Sequence, residues 1–335
     1  MKFGSVPIAQ SIGATVAHAI RHNGLVLKKG QVVTLEHQAA LKAAGVAEII
    51  VARLEAGDVG EDEAARRLAE RLAGANLRLE RAFTGRVNLF SEKAGLVVVE
   101  AGAIARVNAV DEAITAATLA PFRAVEPGDM VATVKIIPFA VPGETLGAAI
   151  AAAGDGAVRV APFRPLRIGV ISTLLPGIKP SVVAKTLRVL ETRLEPAGAS
   201  VVREERVPHE LGALTRSLAA VAPVCDVLLI FGASAITDRR DVIPAAIQAF
   251  GGRVDHFGMP VDPGNLLLLG ARGSQPIIGA PGCARSPKEN GFDWVLQRVL
   301  ADVPITAADI MGMGVGGLLM EIASRPQPRL GDGEP

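Results

Sequence analysis

Apolar and polar positions alternate along the second half of the chain in a way that predicts a sheet flanked by helices. Short, almost continuously apolar runs at 166–172 and 226–231 are separated by longer stretches with helical spacing, such as 181–194. Such runs are typical of strands buried on both faces, and their alternation with helices favours parallel pairing. The pattern predicts a mostly parallel α/β domain over 164–324, arranged in three layers (α/β/α). Further strands are predicted over 200–204, 253–257, 266–269 and 276–279, and further helices over 209–220, 240–250 and 287–300.

The first half mixes helices and strands without that regular alternation. Thr34 is predicted as the N-cap of a helix over 35–44 that Gly45 ends, and a charged pattern over 58–73 predicts a second, amphipathic helix. Other segments predict strands over 46–51, 77–99 (with a turn at Thr84 and Gly85) and 130–141, and a helix over 143–153. We therefore expect an α+β domain over 1–160, a glycine- and proline-rich boundary before 164, and a flexible tail over 325–335.

Composition narrows the classes of partner. The 35 basic and 34 acidic residues leave a net charge of +1, which gives no electrostatic reason to expect nucleic acid or an anionic membrane. The chain has only two cysteines, far apart in sequence, which is typical of a protein in a reducing cytosol. The sequence shows no signal peptide pattern and no uninterrupted apolar run of ~18 residues, so we expect a cytoplasmic protein without a membrane span.

The loops after the predicted strands carry the candidate chemistry, because ligands of such sheets lie beyond the carboxyl ends of the strands. The loop at 232–241 combines the small residues Gly232 and Ala233 with Ser234 and with charges of both signs, including Asp238 and Asp241. Small residues let a phosphate or a ring approach the backbone. An ordinary tight turn, with Asp241 as an acid in the first turn of the next helix, explains the same residues.

A second loop, at 280–288, has the ingredients of an anion site. Arg285 and Lys288 supply two cations and Ser286 a hydroxyl, close to the start of a predicted helix. The alternative is a polar loop in which Ser286 caps that helix, with Pro287 at its first position. Cys283 is either a soft ligand or a packing residue.

Two more loops follow strands at the same predicted edge, one at 258–265 and one at 172–179. Each alone is typical of a plain turn. Because all four loops meet at the carboxyl ends of the strands, we expect one ligand site there.

These motifs resemble a known family. The segment from about 167 to 300 resembles the molybdopterin-binding domain shared by molybdopterin adenylyltransferases, molybdopterin molybdenumtransferases and gephyrin. The family's Asp-apolar-Gly-Gly strand and loop is matched by 226–234, and its Arg-Asp-Val-Thr-Pro-Glu-Ala helix start by 240–246. Its Pro-Gly-Lys-Pro turn corresponds to 263–265 and its Leu-Pro-Gly-Asn-Pro loop to 280–284.

The whole chain is most similar to the molybdopterin-binding region found fused to molybdenum cofactor nucleotidyltransferases, through 57–65, 84–89 and 282–288. Three positions depart from the family. Ala233 replaces the second glycine of the strand and loop, His209 replaces the aspartate of a Val-Pro-Asp segment, and Cys283 with Ala284 replaces Asn-Pro. Mg²⁺ prefers oxygen ligands, so a histidine at 209 does not suit the metal that the family's aspartate helps to organise. Together the departures argue against adenylyl transfer more than against pterin binding.

The resemblance implies molybdopterin binding in molybdenum cofactor biosynthesis, with Mg²⁺-assisted insertion of molybdate as a further step. It implies molybdopterin or its adenylylated form as ligand, Asp241 with Asp238 as catalytic residues, Asp241 as metal ligand, and a homo-oligomer. The alternatives are a non-catalytic carrier or regulator serving a separate nucleotidyltransferase, and a domain that has kept the fold without the ligand. The residues expected to bind the cofactor are Thr173, Gly232, Ala233, Ser234, Pro263, Gly264, Asn265, Pro281, Gly282, Cys283, Arg285, Ser286 and Lys288.

Overall fold

A computed structural model of the chain describes residues 1–22 and 24–319, so the predicted tail at 325–335 lies outside the described residues. The chain divides into two compact units, the first spanning Met1–Pro162 and the second beginning at Phe163. Both units mix helices with sheets, so the protein is of the mixed α/β class. In the described ranges no helix has the length and apolarity to cross a membrane.

The first unit contains fourteen short strands and four helices within its described residues. The strands are β1 (Lys2–Pro7), β2 (Thr15–Val16), β3 (Ile20–His22), β4 (Leu25–Leu27), β5 (Glu48–Arg53), β6 (Asp58–Gly60), β7 (Leu77–Leu79), β8 (Arg86–Ser91), β9 (Gly95–Val99), β10 (Ile114–Thr118), β11 (Ala124–Val125), β12 (Met130–Ile136), β13 (Ala140–Pro142) and β14 (Val158–Pro162). The helices are α1 (Leu35–Ala43), α2 (Glu61–Leu72), α3 (Ala101–Asn108) and α4 (Gly143–Ala153).

Local signals set several of these boundaries. Thr34 and His37 form a reciprocal cap at the start of α1, and Gly45 follows its end at a φ of +78°. The predicted turn between β7 and β8 is confirmed, because Thr84 and Gly85 have φ values of +49° and +71°. The helix predicted over 58–73 begins later, at Glu61, because its first three residues pair with β13 as strand β6.

The second unit is built on one six-stranded sheet. Its strands are β15 (Arg167–Leu174), β16 (Ser200–Pro208), β17 (Val227–Phe231), β18 (Arg253–Phe257), β19 (Leu268–Arg272) and β20 (Gln275–Ala280). Its helices are α5 (Pro180–Leu194), α6 (Leu211–Val221), α7 (Val242–Ala249), α8 (Gly291–Leu300) and α9 (Ala307–Met311). The strand order is β16-β15-β17-β20-β19-β18; the first four strands pair in parallel, and β19 pairs antiparallel with both β20 and β18. The expectation of a mostly parallel sheet is confirmed.

Alternate residues of the central strands point to opposite faces of this sheet, and each face has its own apolar core. Leu229 and Phe231 of β17 pack with residues of α5 and α8, whereas Leu228 and Ile230 pack with residues of α6 and α7. Burial on both faces is what makes these strands almost continuously apolar in sequence.

The helix predicted over 287–300 begins four residues later than expected. Its first residue is Gly291, and the side chains of Asn290 and Asp293 form the cap. Ser286 with Pro287 was therefore the wrong choice of helix start. The preceding residues Gly282–Arg285 form a short 3-10 turn instead.

Candidate functional site

A cavity of about 400 Å³ lies at the carboxyl ends of β15, β17 and β20. The chain passes from β15 to β16 on one side and then to β17 on the other, so its direction across the sheet reverses between β15 and β17. Crevices at such reversals are the usual ligand sites of open α/β sheets, and this volume falls in the range of small-molecule sites. The walls are formed by Ser172, Thr173, Leu174, Gly177, Ile178, Lys179, Val182, Val183, Gly232, Ala233, Ser234, Ala235, Ile236, Leu266, Ala280, Pro281, Gly282 and Arg285.

Thr173 fixes the loop after β17. The side chain is 1% exposed, and its Oγ1 accepts a hydrogen bond from the amide of Ala233 at 2.9 Å. The same Oγ1 shares a hydrogen bond of 2.8 Å with Nδ1 of His209, just past the end of β16. The Thr173 hydroxyl of β15 thus contacts the backbone after β17 and the side chain after β16, and so links the ends of both neighbouring strands.

Arg285 is the partly buried cation of the cavity. Its guanidinium donates to the carbonyl of Gly232 at 2.8 Å and to Oγ1 of Thr186 at 3.1 Å, and it lies over the ring of Phe231. Burial lowers the pKa of this guanidinium below its ordinary value. No carboxylate in residues 1–22 and 24–319 pairs with it, so its positive charge is directed to the cavity without a counter-ion from the described protein.

Lys179 is the second cation on the cavity wall. It is the N-cap residue of α5, whose first turn has Pro180 and no side-chain cap. The wall contains no Asp or Glu among the described residues, so two cations and a helix N-terminus face the cavity together. This arrangement favours an anionic ligand.

Arg193 of α5 holds the loop that carries Arg285. It donates to the carbonyls of Ala284 and Ser286 at 2.8 and 2.7 Å and pairs with Asp293, with both charged side chains largely buried. These bonds tie the loop to α5, and α8 begins only after it, at the cap formed by Asn290 and Asp293.

Seven of the residues predicted to bind cofactor line the cavity: Thr173, Gly232, Ala233, Ser234, Pro281, Gly282 and Arg285. The turn itself requires a glycine at 232, because a Cβ there would meet the Ser234 carbonyl oxygen at 2.7 Å. At Gly282 a Cβ meets nothing within 4 Å. Clearance for a ligand therefore exists at Gly282, whereas Gly232 is small because the turn requires it.

Pro263, Gly264 and Asn265 do not line the cavity. The carbonyl of Pro263 accepts a hydrogen bond from the amide of Gly291, and a Cβ on Gly264 meets that same amide nitrogen at 2.8 Å. The turn therefore packs against the start of α8. Leu266, the residue that follows it, reaches the cavity wall.

Cys283, Ser286 and Lys288 also lie off the cavity wall. Burial raises the pKa of the Cys283 thiol, which disfavours the thiolate that a soft metal ligand needs. Ser286 Oγ accepts a hydrogen bond from the amide of Lys288, whose side chain is exposed. Of the two cations predicted in this loop, only Arg285 is at the cavity.

Asp241 and Asp238 are also absent from the cavity wall. Asp241 caps α7, and its carboxylate accepts from the amides of Val242 and Thr237 at 2.7 and 3.3 Å. Asp238 pairs with Arg240, whose hydrogen bonds lower the pKa of the carboxyl to about 2. No group of three or more His, Cys, Asp or Glu side chains suited to a metal ion occurs in the described ranges.

Sequence reasoning missed Ser172, Ile178 and Lys179, although all three lie in the segment 172–179 that it did identify. The usable signal was Pro180, which marks the first turn of a helix and so places Lys179 at its N-terminus. The apolar wall residues Ile236 and Leu266 gave no signal, since an isolated apolar residue in a loop is common.

A larger depression of about 680 Å³ opens at the opposite, amino end of the parallel strands. Two of its arginines are already paired, Arg164 with Asp302 at 2.9 Å and Arg253 with Asp255 at 2.6 Å. Its charges are thus largely compensated, in contrast to those of the carboxyl-end cavity.

Comparisons with known proteins add little about this site. Residues 5–53 match a family described as "Domain of unknown function (DUF8806)", and no curated protein matches the chain. One similar solved structure is a molybdopterin biosynthesis MoeA protein from Pyrococcus horikoshii, at 14% identity over 93% of this chain and 76% of that one, with a TM-score of 0.28.

Two shorter solved structures match part of this chain. The MoaB molybdopterin biosynthesis enzyme from Thermus thermophilus is 16% identical over 42% of this chain and 98% of its own, with a TM-score of 0.29. The CinA protein of unknown function from Thermoplasma acidophilum is 16% identical over 41% and 98%, with a TM-score of 0.30. At such scores these likenesses carry no argument about fold or function.

Proposed function

We propose that the second unit binds molybdopterin as part of molybdenum cofactor biosynthesis in the cytosol. The observation that carries the proposal is the cavity at the sheet reversal, with two cations and no carboxylate on its described wall. Molybdopterin combines a flat ring system with a terminal phosphate. Apolar residues such as Ile178, Ile236 and Leu266 offer surface to a ring, while Arg285 and Lys179 suit the phosphate.

The sequence motifs agree with this proposal. The segment 226–234, which resembles the family's strand and loop, contributes Gly232, Ala233 and Ser234 to the cavity wall. The packing of α5 and α8 on one sheet face and of α6 and α7 on the other supports the proposed three-layer α/β/α arrangement of 164–324.

Titration of the full chain with molybdopterin, followed by fluorescence or calorimetry, tests the proposal. We expect binding tighter than a Kd of ~1 mM, a limit that corresponds to only about 4 kcal/mol. Arg285→Gln should weaken it about tenfold or more, because a charge-assisted hydrogen bond is lost. Arg188→Gln, on an exposed residue of α5, is the matched control and should bind like the unaltered chain. Absence of binding at ~1 mM would sink the proposal.

The positions of Asp241 and Asp238 favour a non-catalytic carrier or regulator, serving a separate nucleotidyltransferase, over an enzyme. Asp241 and Asp238 were predicted to act on the ligand, but each is engaged by neighbouring groups and neither lines the cavity. Incubating the protein with adenylylated molybdopterin and molybdate separates the two functions. Release of AMP supports the molybdenumtransferase, and tight binding without release supports the carrier.

Mg²⁺, molybdate, the adenylylated ligand and homo-oligomer formation stay predictions. The described residues do not fit a metal site built by the protein alone, so no step is assigned to Mg²⁺. Repeating the titration with and without Mg²⁺ tests its role, with Asp241→Asn as the variant at the predicted ligand. An unchanged affinity in both comparisons rejects that role.

A further inference from the structure

Ser172 is a buried hydroxyl residue on the cavity wall that the fold itself does not use. It is 2% exposed, and in the part of the chain that the structure describes its side chain has no hydrogen-bond partner. Its Oγ is not among the fully buried unpaired polar atoms of the described residues, so it reaches the surface of the cavity and is available to a ligand there. A ligand in the cavity would satisfy this hydroxyl.

Sheet geometry places Ser172 beside the two cations. It pairs in register with Phe231, which belongs to the core under α5 and α8, so both residues share that face of the sheet. The Arg285 guanidinium lies 5.8 Å from the centre of the same Phe231 ring. Lys179 stands at the N-terminus of α5, on this side of the cavity.

We propose that Ser172, Lys179 and Arg285 form a subsite for a tetrahedral, doubly negative oxyanion on the α5 side of the cavity. A planar guanidinium, an ammonium group and a hydroxyl together supply several hydrogen-bond donors, which suits the oxygens of a tetrahedral anion. The N-terminal end of the 15-residue helix α5 adds a favourable dipole. The proposal deepens the proposed function, because it assigns the charged end of the ligand to these residues and replaces Lys288 by Lys179.

The oxyanion that binds this subsite is either the phosphomonoester end of a larger ligand or a free oxyanion such as phosphate or molybdate. Calorimetric titration with inorganic phosphate, molybdate and phenyl phosphate distinguishes them. A subsite for an ester end binds phenyl phosphate at least as tightly as phosphate, whereas a subsite for a free oxyanion binds phosphate and molybdate but rejects the ester. Either result supports the subsite and assigns its source.

The variants test the residues. Lys179→Gln should weaken binding of the preferred oxyanion about tenfold and Ser172→Ala several-fold, because each removes a donor to a charged group. Lys185→Gln is the matched control, since Lys185 is an exposed lysine of α5 that does not line the cavity. No oxyanion binding at up to about 10 mM, or equal affinity in the Lys179 and Lys185 variants, overturns the proposal.

Thermal melting gives a second readout. Without ligand, Ser172→Ala should melt at the same temperature as the unaltered chain, because the substitution removes no side-chain hydrogen bond within the described residues. With saturating oxyanion, the unaltered chain should gain more in Tm than the variant. A variant that melts lower without ligand would mean that the hydroxyl is bound within the protein, which contradicts the proposal.

Failure of the subsite and failure of the proposed molybdopterin binding give different results. If phosphate binds and depends on Ser172 and Lys179 while molybdopterin does not bind, the subsite stands and the proposed function fails. If molybdopterin binds equally to the unaltered chain and to both variants, the proposed function stands and the subsite is wrong.

Discussion

Gly232 and Gly282 are two glycines of one cavity wall that differ in what a side chain would meet. A Cβ at Gly232 runs into the Ser234 carbonyl and the Ile243 side chain, whereas a Cβ at Gly282 has open space around it. Both are small residues in the sequence, and the sequence alone does not separate them. Only the folded turn distinguishes a glycine required by the backbone from one that leaves room for a ligand.

Gly282→Val is therefore expected to fold and to lose ligand affinity. Surface substitutions without new contacts usually change stability by about 0.5 kcal/mol or less, so the urea midpoint should move little. The added side chain should obstruct the cavity and weaken molybdopterin binding by at least tenfold.

Gly312→Val, at another glycine whose Cβ meets nothing within 4 Å, is the control outside the cavity and should bind normally. A Gly282 variant with full affinity would place the ligand elsewhere.

At the scale of elements, Arg193 couples α5 to the loop before α8. Arg193→Met leaves Asp293 as a largely buried carboxylate without its cation and frees the carbonyls of Ala284 and Ser286. Breaking one partner of a buried ion pair costs about 3 to 5 kcal/mol, so urea denaturation should show a loss of that order. Arg188→Gln, at an exposed position five residues earlier on α5, should change stability by less than about 0.5 kcal/mol. Equal stability of the two variants would show that Arg193 does not hold the loop.

The contact between β16 and α6 is expected to depend on pH. Ser217 Oγ donates to Glu205 at 2.6 Å, and this bond, with Arg203, lowers the pKa of the carboxyl below its ordinary value of 4.5. A lowered folded pKa means that the stabilisation is present above the unfolded pKa and is lost as the pH falls through the folded value.

Ser217→Ala should therefore destabilise the chain by about 1 kcal/mol at pH 7 and by less once Glu205 is protonated. Thermal unfolding of both proteins at pH 7 and at a pH below the folded pKa measures the difference. A difference that does not shrink at low pH would contradict this account.

Elements with strong local signals were predictable. The helix predicted over 143–153 is α4 with the same bounds, and the Thr34 cap of α1 was identified from the residues alone. The start of α8 was not, because Arg193, far away in sequence, holds the loop before it and the helix begins only at the Asn290 cap. The position of Ala233 likewise depends on Thr173, 60 residues earlier. Long-range side-chain contacts of this kind leave no periodic pattern to read.

At the scale of the whole molecule, the near-neutral net charge means that an anionic ligand is attracted by charges close to the cavity and not by the chain as a whole. With a net charge of +1, the chain has no strong overall field, so the proposed anion binding should depend on Lys179 and Arg285 themselves. Lys179 is exposed and Arg285 partly buried, and salt screens exposed charges more strongly.

Phosphate affinity should therefore fall as ionic strength rises from about 0.1 to 1 M, and fall less in Lys179→Gln. Calorimetry in sodium chloride measures both slopes. Equal slopes would show that Lys179 does not contact the anion.

The unpaired cations of the cavity also bear on selectivity. Because no carboxylate lines the described wall beside Lys179 and Arg285, the proposed subsite should accept any small oxyanion in the surrounding solution. An abundant competitor then lowers the apparent affinity of every ligand with the same charged group by the same factor. Discrimination among such ligands should then depend on the apolar wall residues Ile178, Ile236 and Leu266, which would contact the uncharged part of the ligand. Affinities measured in phosphate buffer should accordingly keep their ranking while all of them decrease.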